Sequence, residues 1–213
     1  MVDFSLPMDL MYRLKKQSGE YFIWCDHHKT AIDKANEAGF SVPGYRKVGD
    51  AACELTWQWF FPLLAMPQAV HLLGRYDVFD LEADPRVLDF QYGMRGRITN
   101  PGTPKSYPLW NRLLMSDRET QIINKICILG GGILRYQRVE YQKLMDRHSF
   151  YTRLDNIAAQ AVNHGPGGSM KFEQSGGGDI PDHEMFPLCI SFARLPQGKW
   201  LVNLYTFQEE VDC

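Results

Sequence analysis

Disulfide and thiolate-metal patterns are what this sequence lacks first. Cys25, Cys53, Cys127, Cys189 and Cys213 are scattered, odd in number and free of any Cys-x-x-Cys spacing. That argues against a disulfide framework and predicts a reducing, cytoplasmic setting. Net charge is nearly absent too: 23 Lys and Arg stand against 25 Asp and Glu. No global field would then hold a long nucleic-acid duplex or an anionic membrane, so an anionic substrate must be held locally. There is no signal-peptide pattern, and Gln, Pro or Gly breaks every apolar stretch before the roughly 20 residues of a membrane span. Internal repeats are missing as well, and Ser175-Gly176-Gly177-Gly178 reads as a flexible loop. Apolar residues, by contrast, make up 45% of the 213 positions, enough for a substantial core in one domain or two small ones.

The densest chemistry lies in Tyr21-Phe22-Ile23-Trp24-Cys25-Asp26-His27-His28-Lys29-Thr30. An apolar run with strand character delivers a carboxylate and two adjacent imidazoles into a polar turn. Hard and borderline ligands gathered at a strand end make a metal-site layout, placed where open α/β sheets keep their chemistry. Asp77, after Gly74, is a candidate to complete such a site with His27. Asp3, just ahead of a helix start, is a third candidate ligand, although an acidic residue there also serves the helix N-terminus.

Around these residues the pattern predicts a helix over 7–18 stopped by Gly19, a strand over 21–25 and a helix over 30–38 capped by Gly39. Further helices are expected over 51–61 with Asp50 as N-cap, over 67–73 ending at Gly74, and over 86–92 after Asp84-Pro85. Residues 95–108 read as a loop. A mostly helical segment over 117–147 is interrupted by Gly130-Gly131-Gly132, a loose junction rather than a phosphate loop, since no Gly-Lys-Ser/Thr follows. After the turn at Asn163-His164-Gly165-Pro166-Gly167-Gly168, strands over 188–194 and 200–207 flank Pro196-Gln197-Gly198-Lys199 as a hairpin. The fold class expected is α/β: a mostly parallel sheet with crossover helices over 1–116, a connecting helical segment over 117–147, and a second, smaller α/β domain with a β-hairpin over 148–213.

Taken together, Val2-Asp3-Phe4-Ser5, Asp26-His27-His28-Lys29-Thr30, Ala52-Cys53-Glu54-Leu55-Thr56 and Gly74-Arg75-Tyr76-Asp77-Val78 resemble, in order and spacing, motifs two to four of the DHH phosphoesterases. The branch they are most similar to contains oligoribonucleases and cyclic-nucleotide phosphodiesterases. Asn163-His164-Gly165 and the strand pair around Trp200 resemble the start of the DHH-associated substrate-binding domain. The resemblance implies a hydrolase with two Mn²⁺ ions, or Mg²⁺, that activate water and stabilise charge on the phosphoryl oxygens. It implies Asp3 as a bridging metal ligand, His27 and Asp77 as ligands of the second ion, His28 facing the phosphate or leaving oxygen, and Asp26 orienting an imidazole. Arg75 is a conceivable phosphate contact. The implied substrate is a short oligoribonucleotide or small nucleotide, guided by a local positive set of Arg95, Arg97, Lys105 and Arg112. No long duplex and no membrane is expected as a partner, and a homodimer is left open.

Two family elements have no counterpart here. The His-x-Asp-x-Asp motif lies upstream of the valine-aspartate motif, where this sequence has only Met1 and Val2. A Gly-Gly-Gly-His segment should follow the last strand, whereas Gly176-Gly177-Gly178-Asp179 precedes the strand pair and ends in Asp. Taken alone, the chain is expected to offer three ligands to one ion and one bridging carboxylate to the other, with little hydrolysis. Taken as a piece of a longer reading frame, it belongs to an ordinary phosphodiesterase. The alternatives are a non-catalytic remnant that binds nucleotide or a protein partner, and a pyrophosphatase or polyphosphatase on the same scaffold.

Overall fold

A computed structural model describes residues 1–115, 118–165, 170–173 and 186–206. The chain forms two units, Met1–Leu134 and Arg135–Cys213. The first contains helices α1 (Met8–Ser18), α2 (Lys29–Glu37), α3 (Ala52–Phe60), α4 (Gln68–Asp77), α5 (Val87–Arg95) and α6 (Tyr107–Met115), and the beginning of α7 (Glu119–His148). Glycines in the left-handed region close two of these: Gly19 (φ 57°) after α1 and Gly39 (φ 60°) after α2. Two apolar clusters hold the unit. Met11 of α1 and Ala35 of α2 cover Phe22, Trp24, Phe40 and Val42. A second cluster joins Ala69 and Leu72 of α4 to Val87, Phe90 and Met94 of α5, Leu113 of α6, and Ile123 and Ile126 of α7.

Of the strand expected over 21–25, Tyr21 ends a 3-10 turn (Gly19–Tyr21), and residues 22–25 are extended chain held by isolated bridges. Val2 bridges Cys25 and Asp26 bridges Arg46, both parallel. Three segments thus lie side by side in one direction, with too few consecutive hydrogen bonds to make a ladder: Asp3 N–H to Cys25 O, 3.0 Å, Asp26 N–H to Tyr45 O, 3.1 Å, and Lys47 N–H to Asp26 O, 3.2 Å. Gly44 (φ 117°) makes the third segment's approach possible, because a Cβ there would meet the Trp24 carbonyl oxygen at 2.2 Å.

Several helices differ from expectation, among them the one expected over 86–92, which runs Val87–Arg95. The helix expected over 67–73 runs on through Gly74 to Asp77. Gly74 is there because Glu54 packs against it, and a Cβ would sit 2.6 Å from the Glu54 carboxyl carbon. The glycine trio 130–132 does not interrupt α7. A Cβ on Gly130 would fall 1.7 Å from the Asp89 carbonyl oxygen and one on Gly93 would fall 2.1 Å from that of Ile126. These glycines therefore let α5 and α7 touch backbone to backbone, and the helix tolerates them because that packing outweighs a propensity cost of about 1 kcal/mol each. Residues 107–115, none of them foreseen as helical and the first two expected in the 95–108 loop, form α6.

The second unit carries a four-stranded sheet of order β1-β2-β3-β4: β1 (Ser149–Leu154), β2 (Ile157–Asn163), β3 (Leu188–Arg194) and β4 (Trp200–Tyr205), with the short helix α8 (Met170–Glu173). Pairing is antiparallel for β1 with β2, parallel for β2 with β3, and antiparallel for β3 with β4. Among the described residues the only ladder is therefore mixed, with one parallel pairing of three. The hairpin foreseen at 196–199 closes with Leu195 N–H donating to Lys199 O at 2.8 Å. Phe207 and the glycine run 176–178 lie outside the described residues, as do Asp117 and residues 166–168 of the turn expected over 163–168. Strands β1 and β2 were not foreseen from the pattern, although Asp155 and Asn156, both at positive φ (45° and 73°), form the two-residue turn that an Asx pair permits. Met145, Val162, Phe172 and Cys189 make the core.

Candidate metal centre

Asp26 organises the site from below. It is fully buried, and its oxygens are spoken for. Oδ2 accepts from the Trp24 indole N–H at 2.9 Å, and Oδ1 accepts from the backbone N–H of His27 at 2.8 Å and of His28 at 3.2 Å. Oδ1 also pairs with His28 Nδ1 at 2.8 Å. Burial alone would raise this carboxyl, but the hydrogen bonds from His28, Trp24 and His27 together hold it below the usual carboxylate range. A carboxylate so engaged has little capacity left for a cation. Its work is to fix the turn and the orientation of His28.

Above it, Asp3 comes off the first extended segment in the left-handed region (φ 64°), an uncommon conformation for a residue with a side chain. Its Oδ1 lies 3.1 Å from His27 Nε2 and 4.0 Å from His28 Nδ1. Asp77, the last residue of α4, approaches the same His27 nitrogen with Oδ2 at 3.6 Å. His27 is largely enclosed, whereas Asp3 and Asp77 are about half exposed (50% and 45%) and face water. The two imidazoles meet edge to face with centroids 4.5 Å apart.

The electrostatics follow from this crowding. The Asp77 carboxyl is pushed up by burial and by the negative charge of Asp3, against the pull of His27 and His28. His28 is raised chiefly by its hydrogen bond to Asp26, with Asp3 and Asp77 adding to the effect. Carboxylates that crowd one point are relieved by a cation. Ligands of one octahedral ion at about 2.1 Å from the metal sit about 3 Å apart. The Asp3 to His27 and His27 to Asp77 separations of 3.1 and 3.6 Å are of that size, and carboxylate oxygen with imidazole nitrogen is a donor set open to several divalent metals. Ligand atoms of Asp3, His27 and His28 all lie within 4.8 Å of one another, and this is the only group of that kind among the described residues. Asp77 joins it through His27. The donors present thus fit one divalent ion.

Arg75 is placed differently from a free phosphate contact. Its guanidinium pairs with Glu54 and with Asp80 (3.1 Å), and donates to Gly49 O at 3.4 Å. Glu54 is nearly buried, accepts from the Ala51 N–H at 3.0 Å and lies 3.1 Å from His71 Nδ1. Glu54 is the partner that sequence reasoning missed. Its signal was its position three residues after Ala51 at a helix start, the place from which an acidic side chain reaches back to the first N–H groups. Of the positive set, Arg95 is engaged with the Tyr76 hydroxyl at 3.0 Å and lies over the Tyr76 and Tyr92 rings.

Four cysteines, Cys25, Cys53, Cys127 and Cys189, are free thiols, and no helix among the described residues is long and apolar enough to cross a membrane. No protein-family model matches the chain, and no solved structure does. The chain is similar to a protein of Acanthamoeba polyphaga mimivirus, described only as uncharacterized protein R106, with 26% identity over 154 residues. The match takes in 70% of this chain and 32% of the viral protein, so the chain spans about a third of the length of that relative.

Proposed function

We propose that this chain is a metal-dependent phosphoesterase of the DHH type, acting on short oligoribonucleotides or small nucleotides. The observation that carries the reading is the convergence of Asp3, His27 and Asp77, from three separated stretches of sequence, above a buried Asp26 that locks His28 in place. In this reading Asp3, His27 and Asp77 hold Mn²⁺ or Mg²⁺, which when bound polarises the phosphoryl group. His28 carries a proton at Nε2 toward the leaving oxygen while Nδ1–H stays donated to Asp26. Asp26 keeps the imidazole in that tautomer and favours its protonated form. Arg75 acts on α4 through Glu54 and keeps Asp77 at the helix end rather than binding phosphate itself.

The fold belongs to the same proposal. The parallel segments ending at Asp3 and Asp26 are read as the carboxyl ends of strands in a mostly parallel sheet, the edge at which such sheets place ligands. Residues 148–213 are read as the substrate-binding domain, for which a cavity of about 320 Å³ lined by Arg147, His148 and His164, with Lys143 paired to Glu140, offers a polar surface. The free thiols support a reducing, cytoplasmic setting.

A second reading, nucleotide binding without turnover, is favoured by there being a single ligand cluster among the described residues, since two-metal hydrolysis needs donors for both ions. Titrating Mn²⁺ into the protein with an end-labelled short oligoribonucleotide separates the two. Metal-dependent cleavage that disappears in His28→Ala supports the enzyme. Metal-dependent retention of the oligonucleotide without cleavage supports the second reading, and failure of Mn²⁺ to bind at all rejects both.

A further inference from the structure

The two faces of the sheet in the second unit are treated differently. Strand register sorts the side chains. Phe150, Ala161, Ile190 and Leu204 stand in one row across the four strands, and the pairs Phe192 with Val202 and Arg194 with Trp200 continue that face. The opposite face carries Val162, Cys189 and Tyr205, which pack with Leu144 and Met145 of α7 and Phe172 of α8.

On the first face the usual alternation is inverted. The exposed positions of β4 are Trp200 (60%), Val202 (54%) and Leu204 (40%), whereas the polar Asn203 lies on the helix-covered side and donates to the Ser191 hydroxyl at 3.3 Å. Phe150 of β1 is exposed as well (46%), and Ile190 and Phe192 are only partly buried. Phe192 meets Phe150 at 6.1 Å and 76°, and Trp200 at 6.1 Å and 57°. Three rings thus form a ridge from one edge strand to the other. A sheet face left to water ordinarily shows polar side chains, and a contiguous apolar patch beyond a few hundred Å² marks an interaction surface.

Charge, sequence and area select the occupant. The patch of Phe150, Ile190, Phe192, Trp200, Val202 and Leu204 is uncharged, and Arg194 at the end of β3 is the one charged side chain of that face. A charged helix or an anionic lipid layer finds little electrostatic complement there. The segments of the second unit outside the described residues, 166–169, 174–185 and 207–213, contribute only Ile180, Met185, Phe207 and Val211 as large apolar residues, too few to cover it. Four strands about 4.8 Å apart and five residues of about 3.3 Å each give roughly 300 Å² in projection, on the order of 500 Å² once the standing side chains are counted. Two such patches together bury about 1,000 Å², the lower edge of specific interfaces. We infer that this face receives the same face of a second copy of the chain, related by a two-fold axis, with the two sheets about 10 Å apart as in a sandwich. The contact joins second units and does not depend on the phosphoester reading.

Sedimentation velocity of the full chain tests this over a hundredfold concentration range centred on about 10 µM, since an interface of this size implies micromolar affinity. The parent is expected to pass from one copy to two as concentration rises. Trp200→Glu and Val202→Lys on one edge strand, and Phe150→Lys on the other, should each weaken association tenfold or more. All three positions are exposed, so the remaining variants decide should one fail to fold. Leu63→Glu, on a separate exposed apolar site in the first unit, should leave association unchanged. The proposal is overturned if the parent stays a single copy throughout, if neither β4 variant weakens the pair, or if Leu63→Glu dissolves it. Sensitivity at Val202 without sensitivity at Phe150 would mean that β4 pairs edge to edge, and overturns the face-to-face contact. Pelleting of single copies with vesicles of phosphatidylcholine and phosphatidylserine would overturn it in favour of a lipid surface.

Discussion

The two units use polar groups in opposite ways. In Met1–Leu134, buried polar atoms are tied into networks that aim other side chains: Asp26 under the two histidines, and Glu54 between Arg75, His71 and the start of α3. In Arg135–Cys213 the order comes from strand pairing over a small core of Met145, Val162, Phe172 and Cys189. The buried Lys171 there lies 5.7 and 5.8 Å from the Phe172 and Tyr205 ring centres. The difference teaches where each unit can be broken. The first fails where a close approach or a saturated carboxylate is disturbed, and the second responds to what desolvates its ammonium.

The largest effect should come from the glycine contact in the first unit. Gly130→Leu forces a side chain into the Asp89 backbone and is expected to cost about 3 kcal/mol or more, read as a lower urea midpoint. A change under about 0.5 kcal/mol would mean that α5 and α7 are not in backbone contact. Next, Asp26→Asn replaces an acceptor-only group that takes three N–H donors and a ring nitrogen. A loss of about 2 kcal/mol and a Mn²⁺ affinity lowered about 10- to 100-fold are expected. Calorimetric titration showing unchanged affinity would separate the carboxylate from the site.

Two pH experiments sharpen the contrast at smaller scale. Asp84 is held low first by its hydrogen bond from the Arg86 side chain, with burial opposing. Its folded value is depressed, so its contribution is complete above the ordinary 3.8 and disappears as pH falls through the folded value below it. Asp84→Asn should therefore remove a part of the acid sensitivity worth under about 1 kcal/mol, visible as a shallower stability profile below that pH. Lys171 is lowered by burial from 10.5. The unfolded chain binds the extra proton between the folded value and 10.5, so the second unit gains stability as pH rises through that window and loses it again as pH falls. The Val162 methyl resonance, followed in urea at stepped pH, should report that gain in the second unit. An unchanged midpoint up to 10.5 would show that the ammonium is not paying a desolvation cost.

Local patterns were legible where a short stretch decides the outcome. Gly19 and Gly39 end their helices, and the Asp26-His27-His28 triplet announces its turn. Pro196 to Lys199 folds as the hairpin expected of it. The Asp155-Asn156 turn was equally local and could have been read from its Asx pair. Gly130, Gly93 and Gly74 were not legible in this way, because each looks like a helix breaker until the carbonyl or carboxyl packed against it is known. Arg75 read as a conceivable phosphate contact, and only the position of Glu54 on another helix shows that it is bound.

By itself, the sequence determined which side chains with metal affinity exist, that Asp26, His27 and His28 must share one turn, and that near-neutral charge gives the chain no global field for an anion. Tertiary structure alone decided that Asp3 and Asp77, separated from that turn by 23 and 49 positions of sequence, approach the same imidazole nitrogen. It also decided that Asp26 lies too deep and too fully hydrogen-bonded to be a ligand. The reason is physical: ligand identity is a property of one residue, whereas coordination and burial depend on backbone segments brought together by hydrogen bonds and packing that no local pattern encodes.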